Sequence, residues 1–550
     1  MDMTEGDNMT LRLWRESWPR AGQALTRVVC LEIDLADQVS SAPAHALSYR
    51  QARPQPYTDD LLRHAQYYSV FGRQAPAHRS VLLFVGGRGR EDAAQEIRWH
   101  GTVVVDRDRA DYQLLKTAAE RRVLVVEPDG RVTLCPDAVI DDQDATLACL
   151  ERLDRDGRLV YYPAGKSDLR LGPKTARQPV DLVVPINPVS TLLSREAVTA
   201  AAGFNGSYFV IVEEEFVSDP FSFAMDPIGL VITDEVVVNP PIYRRPAFLV
   251  TRETYGNEND DLLYGGGPRR ALIRTIGPEN WSATLPGGVV VAGRSVRLPG
   301  TVPMAVNPAE TGAECSVWTP AARAAGTFAT PHDEDRADFV VVGEAVVGLK
   351  EGGGTRIPMN AAVIGLRKRY AATVVAAIRG GDRVVEHHVD CGPDAGRPVH
   401  GTQGWVPLVR NGRPCDPLTE LAGLDFAGHE HGSEDCTIPP VFLPDRYVVE
   451  ENHAHLAIGL TGDGRMYVLH AEGCEVRTYR EGRDSQGASP IELRDRLLAL
   501  GCIEAIAMDG GGSAAIAWKG GLVSKPSDRF DISRIAVERL LPGMWLLHPE

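Results

Sequence analysis

A chain of 550 residues with 74 Asp and Glu against 58 Lys and Arg carries a formal net charge of −16 at pH 7. That balance excludes a broad nucleic-acid-binding face, because phosphate backbones are held by clustered Lys and Arg that release counterions. The length implies two or more domains and a core that closes without staples, and no run of about 20 apolar residues offers a helical membrane span.

Residues 1–30 hold acids and scattered arginines, with no apolar core of signal-peptide length. The cysteines run from Cys30 to Cys502 with no CxxC pair, which suits reduced thiols better than a disulfide framework. A cytoplasmic location is the expectation. In the first third, residues 28–35 and 81–85 are strand-like, 91–99 helix-like, 103–105 strand-like, 110–121 helix-like and 123–126 strand-like. Strands alternating with helices predict a parallel sheet, so residues 1–176 are expected to form a separate, smaller α/β domain of unknown role. A chain starting near Arg177 is then expected to fold alone. Gly86-Gly87-Arg88-Gly89, with Asp106 further on, is a partial dinucleotide-binding turn. Its third glycine is missing, since Asp92 stands there, and a plain strand-to-helix turn is the simpler reading.

The rest of the chain, 177–550, reads as one mixed α+β unit with an insertion at about 412–452. Residues 201–210 (AAGFNGSYFV) lead into a turn, and 454–473 (AHLAIGLTGDGRMYVLHAEG) form a strand, a Gly-Asp-Gly turn and a strand. Residues 491–500 (IELRDRLLAL) have helical apolar spacing, with Pro490 before them and Gly501 after. A short β-prone run follows and ends at Asp509-Gly510-Gly511-Gly512-Ser513. Consecutive glycines reach backbone conformations closed to other residues and turn several N–H groups toward one point, a concavity suited to an anion. A carboxylate beside such a cradle makes a catalytic corner; the bland alternative is a hairpin turn with an acid at its mouth.

Taken in order, these blocks resemble the phosphodiester glycosidase family, over residues 180–542. The resemblance rests on Asn205-Gly206-Ser207-Tyr208-Phe209, Ile228 to Ile232, Arg245-Pro246-Ala247, Val306-Asn307, Trp318-Thr319-Pro320, Pro407 to Gly412, Ala457-Ile458-Gly459, the Asp509 to Ser513 signature and Arg534 to Val537. It implies a hydrolase that cleaves the anomeric C–O bond of a sugar 1-phosphodiester or related phosphorylated glycoside, a small-molecule or glycan substrate carrying an anomeric phosphate. It implies no cofactor; a divalent metal has no support in the sequence. Three positions depart from the family pattern. His455-Leu456 replaces Arg-Thr, Ser207 replaces the second glycine of an Asn-Gly-Gly turn, and Glu472-Gly473 stands where Asp-Gly is commoner. A histidine is charged only below about pH 6.5, whereas arginine is a fixed cation.

The resemblance assigns Asp509 as the carboxylate at the anomeric carbon, either base for water or electrostatic stabiliser, with Glu472 as second carboxylate. Gly510, Gly511, Gly512 and Ser513 line the turn, Asn205 and Ser207 contact sugar hydroxyls or phosphate, and His455 takes the place of the family arginine. Arg534 is either a ligand contact or a salt bridge that closes the last strand. A non-catalytic glycan- or nucleotide-binding protein that keeps the fold is the alternative. His429-Glu430-His431 with Glu434, Asp435 and Cys436, and His387-His388 with Asp390-Cys391, carry metal-capable side chains but lack a second spaced cluster. Tyr264 to Arg270 (YGGGPRR) reads as a surface turn.

Overall fold

A computed structural model of the chain describes residues 4–5, 11–20, 24–35, 45–51, short segments between 80 and 162, 202–209, 227–252, 269–422 apart from 297, 310–311, 325 and 359–360, then 452–473, 484–518, 521–527, 541 and 543–549. These residues are dominated by β-strands. The principal sheet has eight strands in the order Thr4–Glu5, Leu11–Pro19, Leu25–Asp34, Arg465–Ala471, His455–Thr461, Cys502–Ala507, Pro407–Arg410, Arg413–Pro414. Every neighbouring pair in it is antiparallel.

Its central strands read as nearly unbroken apolar runs because both faces are covered. Alternate residues point to opposite faces. Val28, Cys30, Leu469, Ala471, Ala457, Ala505 and Ala507 enter one core, which the helix Pro490–Ala499 closes through Leu493 and Leu497. Val29, Leu31, Ile33, Met466, Val468, Leu456, Ile458, Ile506 and Met508 enter a second core, shared with Phe204, Ile516, Trp518 and Trp545. Those last four come from a five-stranded sheet in the order Gly521–Leu522, Ile516–Trp518, Ala202–Asn205, Gly543–Pro549, His45–Gln51. A further five-stranded sheet contains Arg245–Arg252 beside Arg397–Gln403, and the chain leaves it at Gly404-Trp405 to enter the principal sheet. An eight-stranded mixed sheet covers residues 281–389 and packs into the first core.

The predicted boundary at 176 does not separate the first strands from the rest. Leu25–Asp34 pairs along its length with Arg465–Ala471, and His45–Gln51 pairs with Gly543–Pro549. The stretch 28–33, apolar but for Glu32, needs two covered faces, and the cores that cover it draw mostly on residues from 202 onward. Residues 81, 83–86, 102–105 and 124–126 are strands as predicted, but only Leu83–Gly86 with Thr102–Val105 is parallel, and the other pairs among these segments are antiparallel. The predicted helices at 91–99 and 110–121 lie outside the described residues, as do Gly87 to Gly89, Asp106, Tyr264 to Pro268 and His429 to Cys436.

The helix predicted over 491–500 forms as Pro490–Ala499. Ser489 Oγ accepts from Glu492 N at 3.3 Å while Glu492 Oε2 accepts from Ser489 N at 2.9 Å, a reciprocal cap with proline in the first turn. Arg20 bonds the same Glu492, and Arg496 bonds Glu16 of the Leu11–Pro19 strand, so two arginine–glutamate pairs tie helix and N-terminal hairpin together. Among the described residues no helix is long and apolar enough to cross a membrane.

Candidate active site

The strand Cys502–Ala507 makes its last ladder bond from Met508 N to Leu456 O, 2.8 Å. Asp509 follows, half-buried, and the chain turns back at once. Gly511 N donates to Ala454 O at 2.8 Å, and Gly511–Ser513 form a single 3₁₀ turn in which Ser513 N donates to Gly510 O at 3.2 Å. Two glycines are required for different reasons. A Cβ at Gly510 would stand 2.8 Å from Ala454 O and 3.1 Å from His455 Nδ1, so this position needs close approach. Gly511 has φ +58° with open space around it, so it needs a left-handed backbone. Gly512 and Ser513 are buried.

Asn205 holds the turn from a different sheet and from 304 residues upstream. Its Nδ2 donates to Asp509 O at 2.9 Å, its Oδ1 accepts from Ala515 N at 3.1 Å, and its backbone N donates to Ala515 O at 3.3 Å. The turn is bracketed on both sides. Tyr208, buried just beyond, donates from its hydroxyl to Met508 O at 3.2 Å. Burial pushes this phenol well above its ordinary range; the Asp509 carboxylate raises it further and the Arg245 guanidinium opposes. One hydroxyl therefore lies in the field of both charges. Ser207 is buried beside it in the chain.

Three rings line the same side. Trp405 stacks on His455 with centroids 6.1 Å apart and an interplanar angle of 11°, and His453 meets His455 edge-on at 6.1 Å and 86°. His455 is itself buried, at 4 % exposure, which sets its ring against the glycine turn. Arg245 is wholly buried, with Nη1 donating to Gly404 O and Trp405 O at 3.5 Å and the guanidinium 6.0 Å from the Tyr243 ring centroid.

Asn205, His455, Asp509 and the Gly510 to Ser513 turn are thus brought together, from opposite ends of the matched blocks. Glu472 follows Arg465–Ala471 directly, its N donating to Arg27 O at 2.8 Å. Its Oε1 accepts from Lys525 N at 2.9 Å, and burial raises its pKa against the pull of that bond and of Arg27 and Arg15. Through that bond Glu472 ties the end of its strand to the Lys525 segment. Arg534 lies outside the described residues. His387 is structural, with Nδ1 accepting from Trp281 Nε1 at 3.0 Å and the opposite nitrogen 2.7 Å from Gly343 O. Among the described residues no group of three or more His, Cys, Asp or Glu is placed to hold a metal ion.

Tyr208, Arg245, Trp405 and His453 did not stand out in the sequence as site residues. Arg245 had one readable signal, a charge opening the apolar run Arg245 to Val250. Trp405 had none, because its place follows from where the chain crosses between sheets.

Residues 335–548 match the phosphodiester glycosidase family, the one that the sequence blocks resemble. The matched segment contains His455 and the Asp509 turn, while Asn205 and Arg245 lie upstream of it. No curated protein matches the chain in sequence. Among solved structures, a hypothetical protein from Synechocystis is similar at 13% identity and TM-score 0.37, the match covering 98% of this chain and 62% of that one, so this chain spans less than two thirds of that protein's length. A Burkholderia pseudomallei protein provisionally described as exported is similar at 16% identity and TM-score 0.37, covering 99% and 97%. The catalytic domain of zebrafish N-acetylglucosamine-1-phosphodiester alpha-N-acetylglucosaminidase, auto-inhibited by its pro-peptide, is similar at 16% identity and TM-score 0.23, covering 63% and 95%.

Proposed function

We propose that this protein is a hydrolase that cleaves the anomeric C–O bond of a sugar 1-phosphodiester or a related phosphorylated glycoside. The observation that carries the reading is the bracketed Asp509 turn, with Asn205 bonded to both its flanks and the buried Tyr208 hydroxyl bonded to Met508 O beside it. A phosphate monoester is already a weakly basic leaving group, so the bond needs little proton donation. It needs anion binding and help for an oxocarbenium-like centre. Asp509 serves as base for water or as electrostatic stabiliser of the anomeric carbon, with the N–H groups of the glycine turn and Asn205, Ser207 and His455 around the substrate.

Asp509→Asn keeps the shape and removes the charge. Turnover of a sugar 1-phosphodiester should fall at least about a hundredfold with little change in melting temperature. Near wild-type turnover in this variant would overturn the assignment.

A further inference from the structure

The chain lacks an arginine at position 455, yet it buries one nearby. Arg245 is 0 % exposed and opens its strand at the point where the chain crosses between sheets at Gly404-Trp405. Its guanidinium keeps its charge at any working pH and presents a planar fork matched to phosphate oxygens. Its Nη1 donates to Gly404 O and Trp405 O at 3.5 Å, which places the guanidinium at this crossing. Trp405, which supplies one of those carbonyls, is 2 % exposed, and its indole Nε1 donates to no acceptor among the described residues. A buried donor left unsatisfied is destabilising, which a bound acceptor would offset. The Trp405 ring is stacked on His455, whose own ring abuts Gly510. Trp405 therefore reaches the turn through His455 and also holds Arg245 through its carbonyl.

We infer that Arg245 and Trp405 form the phosphate subsite of this protein, the guanidinium and the indole N–H donating to the non-bridging oxygens of the anomeric phosphate. This rests on the hydrolase reading and specifies it. The cation is supplied from an upstream strand, and His455 acts as the ring that positions Trp405 against the turn. The ligand class is an organophosphate monoanion or dianion, inorganic phosphate included.

The test is equilibrium binding of inorganic phosphate to the full chain, by calorimetry, for wild type, Arg245→Gln, Arg245→Lys, Trp405→Phe and His455→Gln, with folding followed by far-ultraviolet circular dichroism. Arg245→Gln should weaken binding about tenfold or more, as expected for loss of a charge-assisted pair. Arg245→Lys should recover part of that loss, and Trp405→Phe, which keeps the ring, should weaken binding about threefold to tenfold, the range for one hydrogen bond. Trp405→Phe decides the matter if Arg245→Gln does not fold. Unchanged binding in both Arg245→Gln and Trp405→Phe, or a larger loss from His455→Gln than from either, would overturn the inference. Wild type that hydrolyses a sugar 1-phosphodiester without binding phosphate at millimolar concentration also overturns it and leaves the hydrolase reading standing. Phosphate binding that depends on Arg245 in a protein with no hydrolysis would support the subsite and sink the hydrolase reading.

Discussion

Gly510 and Gly511 are adjacent and identical in sequence, yet they answer to different constraints, and substitution separates them. At Gly510 a methyl group would press on Ala454 O, a backbone atom fixed by the bond it accepts from Gly511 N. Gly510→Ala should cost about 1–3 kcal/mol, the range for overpacking. At Gly511 the methyl group meets open space, and the cost is the left-handed backbone alone, about 1–2 kcal/mol, reduced by the entropy that alanine removes from the unfolded chain. Thermal melts should therefore rank Gly510→Ala below Gly511→Ala; the reverse order would mean that the turn is held less closely than the Ala454 contact requires. Histidines supply a second residue-scale expectation. His470 is 0 % exposed, neither ring nitrogen has a partner among the described residues, and burial lowers its pKa from 6.5 to about 3. Burial likewise lowers His387 to about 4 against the pull of Gly343 O. Both are neutral when folded and charge when unfolded below pH 6.5. Their contribution is complete above that pH and is lost as pH falls through the window toward 3 or 4, at about 1.4 kcal/mol per unit for each proton taken up. His470→Leu should flatten the fall in melting temperature between pH 6.5 and 4, and an unchanged slope would refute the assignment to this residue.

Among the elements, the hairpin of Leu11–Pro19 and Leu25–Asp34 is the piece whose role the sequence concealed. Its apolar run was legible as a strand, but strand pairing is not written in periodicity, and alternating strand and helix signals between 28 and 126 suggested a self-contained unit. Strands here pair over more than 400 residues instead, as Leu31 does with Val468. Removing residues 1–35 would strip Val28, Val29, Leu31 and Ile33, each fully buried, from two cores at once. At about 1.5–3 kcal/mol for each side chain the loss is roughly 6–12 kcal/mol, comparable with the whole net stability of a domain. Such a truncation should yield insoluble or molten protein, whereas a soluble product with a cooperative melt would show that the hairpin is an accessory. By contrast the helix Pro490–Ala499 was legible to within a residue at each end, because its cap, its first-turn proline and its terminal glycine are local signals.

Across the whole molecule, the site is assembled from segments that no local signal connects. The Asn205 to Phe209 and Asp509 to Ser513 blocks were readable as pieces, and their order along the chain pointed to the family. What joins them is the packing of the Ala202–Asn205 strand between Ile516–Trp518 and Gly543–Pro549, which carries Asn205 to the flank of the turn. A one-residue step along Arg465–Ala471 decides which face a side chain occupies, and residue type alone does not reveal that parity. The central claim, that Asp509 serves cleavage at the anomeric carbon, makes a statement about which bond breaks. Hydrolysis of a sugar 1-(methyl phosphodiester) in water enriched in heavy oxygen tests it most directly, with mass spectrometry of both products. Attack at the anomeric carbon places the heavy oxygen in the sugar hydroxyl and leaves the methyl phosphate unlabelled, the result this account predicts; label in the phosphate product would mean cleavage at phosphorus and would contradict it.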